Sequence, residues 1–496
     1  MRFRQAFAAG LAVCGLALSG CTTNPATGQQ DFTPFMSRAD EERLGAQEHP
    51  KLLQQFGGSY GDAKVSSYVA EVGGKLAAVS ELPDLQFTFT TLDSKVINAF
   101  ALPGGYVYMS RGLLAYMNDE AELASVLGHE IGHVTARHSA KRYNKSVMAQ
   151  VFGAGVGIAT GSGALANLIN QGSQLYLLSY SRGQELEADE LGVRYMSLVG
   201  YDPFGAPRML DTLGSASGLD AKVAGQAQAN QTPAWARTHP LTSERVRVAL
   251  KEAREFSAQV PEKLRRKDEL LNAIDGMRID DDPAQGIIEG DVFKHGPLGF
   301  GFRVPTGFAI ENGSTAVRAA GPGNSMIIFT GGRAASNDMG QQAQSIMTSL
   351  TQGQGPALSN LQSISVNGMP AATGNARLTS QGNTIDVRVV SINFGNGAAY
   401  SFIFVAPPAT MGQLNTSFQR TTYSFQKLSE AQRRAAIRGR KIKVVTVQPG
   451  DTPASLSQAM AYDSFQLERF LVLNGLEGTR SASLKAGDRV KVVVLD

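Results

Sequence analysis

The chain has 496 residues, of which 43% are hydrophobic and 18% charged, with a formal net charge of +3. That length leaves room for roughly two to four domains. The small net charge, with no basic stripe interleaved with aromatics, argues against a nucleic-acid partner.

The N-terminus reads as an export signal. Arg2 and Arg4 precede an apolar run over residues 6–18, and small residues lead up to Cys21. The apolar run is shorter than the about 20 residues that a spanning helix needs, so residues 1–20 are expected to be a cleaved signal peptide. Leu18-Ser19-Gly20-Cys21 resembles a bacterial lipobox. The resemblance implies cleavage before Cys21 and acylation of its thiol. The other cysteine, Cys14, leaves with the signal, so no disulfide framework is expected. Thr22 and Thr23 follow with no Asp beside the anchor, which by the same resemblance favours an outer-membrane lipoprotein facing the periplasm. Residues 21–39 are rich in Pro, Thr, Gly and Gln and suit a tether.

Residues 40–275 are dominated by helical patterns, at 65–79, 120–142, 184–198 and 243–256, with strand-like stretches at 86–90 and 106–109. An acidic, Pro-containing break at Asp280-Asp281-Asp282-Pro283 marks a boundary. Residues 290–428 then read as short strands with one helical stretch at 338–350, a separate α+β domain with no catalytic constellation. A basic helical linker (Arg433, Arg434, Arg438, Arg440, Lys441) leads to a compact tail, 443–496.

The informative residues are His129-Glu130-Ile131-Gly132-His133. Residues four apart on a helix are offset by only about 40°, so both imidazoles leave one face and suit tetrahedral zinc. Glu130, one position on, reaches a water at that metal as general base. His138 is not expected to be a ligand. It lies five residues beyond His133, about 140° away on a continuous helix, and reads as structural or capping. The better third ligand comes from Glu185 and Asp189, four apart on one helix face, whereas Glu187 lies about 200° round and should face elsewhere. A carboxylate one turn from a ligand suits holding a ligand histidine through its free ring N–H.

Together the two motifs resemble the M48 family of zinc metallopeptidases (Ste24-type gluzincins), whose second motif reads Glu-x-x-Ala-Asp. Asn24-Pro25-Ala26-Thr27-Gly28, the run from Asn98 to Gly105, Arg137-His138 and Thr238-His239-Pro240 match as well. The resemblance covers about residues 24–255, half of the chain. It implies one zinc per chain on His129, His133 and Glu185, with Asp189 supporting a ligand. It also implies a mainly helical gluzincin-type domain with a small sheet whose edge strand, placed at Tyr106, Val107, Tyr108 and Met109, pairs with extended substrate. Phe100 and Tyr106 are candidates for side-chain pockets. His239 is either a self-inhibitory fourth ligand, a donor to the oxyanion, or part of a structural His-Pro turn. Arg245 is placed where it stabilises developing negative charge.

The stretch 146–181 has no charged residue before Arg182 and many glycines, which makes a poor spanning helix and reads as a hairpin or lid beside the cleft. The tail resembles a LysM module in Val445 to Thr452, Leu473-Asn474-Gly475-Leu476 and Leu484 to Val492, although Pro453 stands where Leu is usual. That resemblance implies a βααβ order and a peptidoglycan-type ligand. The reading is an α+β zinc endopeptidase of the bacterial envelope acting on unfolded or misassembled proteins. Its rival is a non-catalytic or self-inhibited LysM-anchored scaffold or chaperone. Glu130 argues against that rival, because a structural zinc site needs no base.

Overall fold

A computed structural model of the chain describes residues 21–34, 36–153, 179–224, 234–313, 315–380, 383–477 and 484–496. The expected signal peptide and most of the uncharged stretch lie outside these residues. The fold is mixed α+β in two compact units. One comprises Met1–Leu219, Thr232–Ile279 and Lys441–Val494, and the other Asp220–Gln231, Asp280–Arg440 and Leu495–Asp496. Among the described residues no helix is long and apolar enough to cross a membrane.

The first unit opens with a small hairpin, β1 (Cys21–Thr23) against β2 (Gln30–Phe32), where a free tether was expected. Helices α1 (Arg38–Gln55) and α2 (Ala63–Ala78) follow, then β3 (Thr88–Leu92), β4 (Ala99–Leu102) and β5 (Tyr106–Ser110). The chain continues through α3 (Arg111–Tyr116), α4 (Glu120–Thr135), α5 (His138–Gly153) and α6 (Arg182–Val199). After α7 (Gly205–Ala224) come α8 (Ala234–Thr238), α9 (Ser243–Ser257) and α10 (Lys267–Ile274). Val65, Val69, Val72 and Leu76 of α2 recur at helical spacing and pack with Leu123, Leu127 and Ile131 of α4 in one core.

The three strands lie in the order β3-β5-β4, with β5 parallel to β3 and antiparallel to β4. This overturns the placement of Tyr106–Met109 at the edge. A strand whose residues Val107, Tyr108 and Met109 are all buried is flanked on both sides and takes the middle place. The outer strands are β3 and β4.

The tail contributes a strand (Arg440–Thr446), two short helices (Pro453–Ser457 and Gln466–Leu473) and a strand (Arg489–Leu495). Its Val447, Phe470, Leu473, Val490 and Val492 share the core that holds Leu114, Met117 and Leu127. Lys491 is fully buried, and its Nζ donates to the carbonyls of Ala115 and Met117 at 2.7 Å each.

The second unit is built on a seven-stranded antiparallel sheet. Its order runs Ser359–Val366, Met369–Ser380, Asn383–Gly395, Ala398–Ala406, Ser325–Arg333, Val317–Gly321, Ala309–Asn312. Period-two alternation gives the sheet two apolar faces. Val387, Val389 and Ile403 pack with Met347 of the helix Met339–Leu350. Val390, Ile392, Phe402 and Phe404 pack with Phe418 of the helix Pro408–Ser424.

Candidate metal centre

Helix α4 starts where the Asp119 side chain accepts from the Glu122 amide, and it carries His129 and His133 on one buried face. Helix α6 starts at Ser181, whose side chain and that of Gln184 cap each other's amides. The two helices touch backbone to backbone. A Cβ on Gly192 would stand 2.8 Å from the His129 amide nitrogen, and one on Gly128 3.0 Å from the Gly192 carbonyl oxygen. Only glycine permits that approach, and it brings Glu185 to the imidazoles.

Four donor atoms converge as a result. His133 Nε2 lies 3.0 Å from His129 Nε2, and Glu185 Oε1 3.5 Å from His133 Nε2. His239, just after α8, brings Nδ1 to 3.3 Å from His129 Nε2 and 3.1 Å from Glu185 Oε1. All four residues are buried, and one ligand atom from each lies within 4.8 Å of the others. Bonds of about 2.0–2.1 Å to a tetrahedral ion imply edges near 3.3 Å between ligand atoms. The observed separations centre on that value. Nitrogen and carboxylate donors are what zinc takes, and His239 Nε2 and Glu130 Oε2 have no hydrogen-bond partner. The residues therefore fit a metal ion.

Glu130 lies against this cluster, with Oε1 3.5 Å from His239 Nε2. Burial raises its pKa. Burial pushes Glu185 the same way, but His239 and His133 outweigh it and hold that carboxyl well below its usual range. Burial likewise holds His133 neutral, the form a metal needs.

Asp189 lies 2.8 Å from His129 Nδ1. Arg245 grips Asp189 with Nε and Nη2, both at 2.7 Å, and sets Nη1 2.6 Å from Glu185 Oε2. Its fork is thus engaged by two carboxylates and the Pro240 carbonyl, rather than facing a developing oxyanion. Burial and the Arg245 charge oppose each other at Asp189, and the charge wins, holding Asp189 ionised.

His138 stands where the helical-wheel reading did not put it. Helix α4 ends at Thr135, Arg137 takes φ +54°, and a new helix begins at His138. The break swings His138 back, so that its Nδ1 lies 2.7 Å from His133 Nδ1 and its Nε2 3.0 Å from Glu187 Oε2. Glu187 does face away from Glu185, but it meets His138. Tyr180 is a further residue that sequence reasoning passed over. Its ring stacks on His133 with centroids 3.8 Å apart and 15° between planes, and its amide donates to Thr238. Its place just before the Ser181 cap was the one available signal.

Two cavities adjoin the cluster. One, mainly apolar, touches His129, Glu130 and His239 and is lined by Val126, Val193, Leu210, Leu213 and Trp235. The other, of mixed polarity, touches His133 and is lined by Glu81, Thr88, Arg137 and Tyr106. Strand β4 borders both, the first through Ala99 and the preceding Asn98 and the second through Ala101 and Leu102.

The model of Peptidase family M48 matches residues 63–253, the span that holds all of these side chains. The mitochondrial metalloendopeptidase OMA1 of Schizosaccharomyces pombe is 33% identical over 216 residues, 42% of this chain and 59% of the relative. A putative beta-barrel assembly-enhancing protease of Vibrio cholerae is 29% identical over 226 residues, 44% of this chain and 45% of the relative. The beta-barrel assembly-enhancing protease of Yersinia pestis is 32% identical over 199 residues, 37% and 38% respectively. The chain thus spans 38% to 59% of these relatives' own lengths.

Proposed function

Because this chain carries a Peptidase family M48 domain over residues 63–253, we propose that it is a zinc metalloendopeptidase of the bacterial envelope, anchored through an acylated Cys21, that cuts unfolded or misassembled envelope proteins. The observation that carries the reading is the buried convergence of His129, His133 and Glu185 beside Glu130. Two of the relatives bear names that refer to beta-barrel assembly, which supports envelope proteins as the substrate class.

His129, His133 and Glu185 would hold the metal, and a bound zinc would supply Lewis-acid polarisation and a nucleophilic water near neutral pH. Glu130 is placed to take a proton from an attacking water and to pass it to the departing amine. Asp189 orients His129, and Arg245 keeps the Asp189 and Glu185 carboxylates ionised and in place. Extended substrate adds a strand to β4, whose two ends open on the two cavities. Main-chain pairing needs no particular sequence, and it requires a chain that is not already folded. The apolar cavity beside Glu130 receives a large aliphatic or aromatic side chain.

A second reading is favoured by His239, whose Nδ1 completes the four donors. In that reading the fourth position is closed by the chain itself and the enzyme is self-inhibited until the His-Pro loop moves. One experiment covers both. Cleavage of unfolded casein and zinc content are measured on the chain from Thr22 onward, on Glu130→Gln and on His239→Ala. Glu130→Gln should keep one zinc and lose about 10²-fold or more in rate. His239→Ala should cut faster than the parent if the loop gates the site. Equal cutting by parent and Glu130→Gln would sink the peptidase reading.

A further inference from the structure

Resting on that metal-site reading, we infer that His138 and Glu187 form a positioning relay for the ligand His133, so that the two ligand imidazoles are held by two different carboxylates. His129 has Asp189 at 2.8 Å from Nδ1. His133 has no carboxylate at its Nδ1 and has His138 Nδ1 at 2.7 Å instead. His138 in turn meets Glu187 Oε2 through Nε2 at 3.0 Å. His133 is 1% exposed and His138 0%, so neither ring has water as an alternative partner.

Proton bookkeeping fixes each tautomer along this line. His133 offers Nε2 to the metal, since that nitrogen faces His129 Nε2, and it must therefore carry its hydrogen on Nδ1. That hydrogen is donated to His138 Nδ1, which must be bare to accept it. His138 then carries its hydrogen on Nε2 and donates to the Glu187 carboxylate. An ionised Glu187 carboxylate accepts and never donates, so it closes the line in the same direction that a metal at His133 Nε2 requires.

The backbone explains how a histidine five residues past a ligand comes to serve it. Arg137 adopts a left-handed conformation at φ +54° and is 3% exposed. Its guanidinium is fastened to Glu41 at 2.9 Å and to the Met36 carbonyl at 2.8 Å. These contacts offset the strain of the turn that separates α4 from α5 and directs His138 back under His133. The Glu187 side chain, 27% exposed, reaches the relay from the face of α6 opposite to Glu185.

The test is zinc affinity, measured by competition with a chromophoric chelator on the full mature chain, for the parent, Glu187→Ala and Glu187→Gln. Glu187→Ala should weaken zinc binding by about 10- to 100-fold, the usual effect of removing a partner of a ligand histidine. Glu187→Gln keeps an acceptor oxygen and should recover most of that loss. The thermal midpoint of the metal-free protein reports on folding separately and should move little, because Glu187 lies partly in solvent. Parent-like zinc affinity in a folded Glu187→Ala protein would overturn the relay. Should that variant fail to fold, His138→Ala decides the matter by the same assay, parent-like affinity counting against the relay. A parent that binds no zinc would instead overturn the metal-site reading, so the two failures remain distinct.

Discussion

At the scale of single residues, the first unit holds several carboxyls whose surroundings set their charge. Glu252 on α9 is buried, and its Oε2 has no hydrogen-bond partner. Burial, reinforced by Glu190, pushes its pKa up to about 8. The folded protein therefore holds a proton that the unfolded chain releases near 4.5, so stability falls as pH rises from about 4.5 to about 8. Glu252→Gln imitates the protonated form at every pH. Its thermal midpoint should match the parent at pH 5 and exceed it at pH 8.5. A constant difference across that range would show that Glu252 does not titrate there. This carboxyl was invisible in the sequence, because an isolated Glu on an amphipathic helix reads as solvated. The His129–His133 pair was legible because the chemistry lies within one helical turn. His138 was misplaced for the converse reason. Its position depends on a left-handed Arg137, a residue type that gives no local warning of a helix break.

At the scale of elements, the site exists because α4 and α6 cross at glycines. Gly192→Ala would press a methyl group into the His129 backbone at 2.8 Å. The helices must part or the backbone must shift, at a cost of about 1–3 kcal/mol. The expected result is a lower midpoint in denaturant together with weaker zinc binding, since the same shift displaces Glu185 from the imidazoles. A stability loss with unchanged zinc affinity would separate the crossing from the site. Apolar spacing foresaw α6 to within two residues at each end and the start of α4, but it carried α4 on to residue 142, past its end at Thr135. The crossing was not, because helical glycines look like weak points until a partner backbone is seen against them. Strand order was hidden in the same way. Tyr106–Ser110 and Ala99–Leu102 are both apolar enough for either place, and β5 is central only because β3 also pairs with it.

For the molecule as a whole, the tail is the main departure from a sequence reading in modules. In a strand of alternating residues Lys491 reads as facing solvent, yet Val490 through Val493 are all buried. Its ammonium satisfies the last carbonyls of α3, a few residues before the helix that carries the metal ligands. Lys491→Met keeps the length of the side chain and leaves both carbonyls without a donor, which should destabilise the first unit by about 1–3 kcal/mol. Denaturant unfolding followed by Trp235 fluorescence checks this, and an unchanged midpoint would mean that the two Lys491 hydrogen bonds add nothing to the unit's stability.

The opening hairpin bears on how far the enzyme can reach. A free tether over residues 22–39 would let the catalytic helix roam up to about 60 Å from its anchor. Instead, Thr22 Oγ1 accepts from Arg137 Nη1 at 2.5 Å, and the Asn24 amide donates to the Ala136 carbonyl at 3.3 Å. With Cys21 acylated as proposed, the leash is one residue long and is fastened to the very turn that ends the HExxH helix. On that proposal the enzyme would not patrol the volume of a compartment. It would work a thin layer at the lipid surface, and a polypeptide would become its substrate by lingering there unfolded.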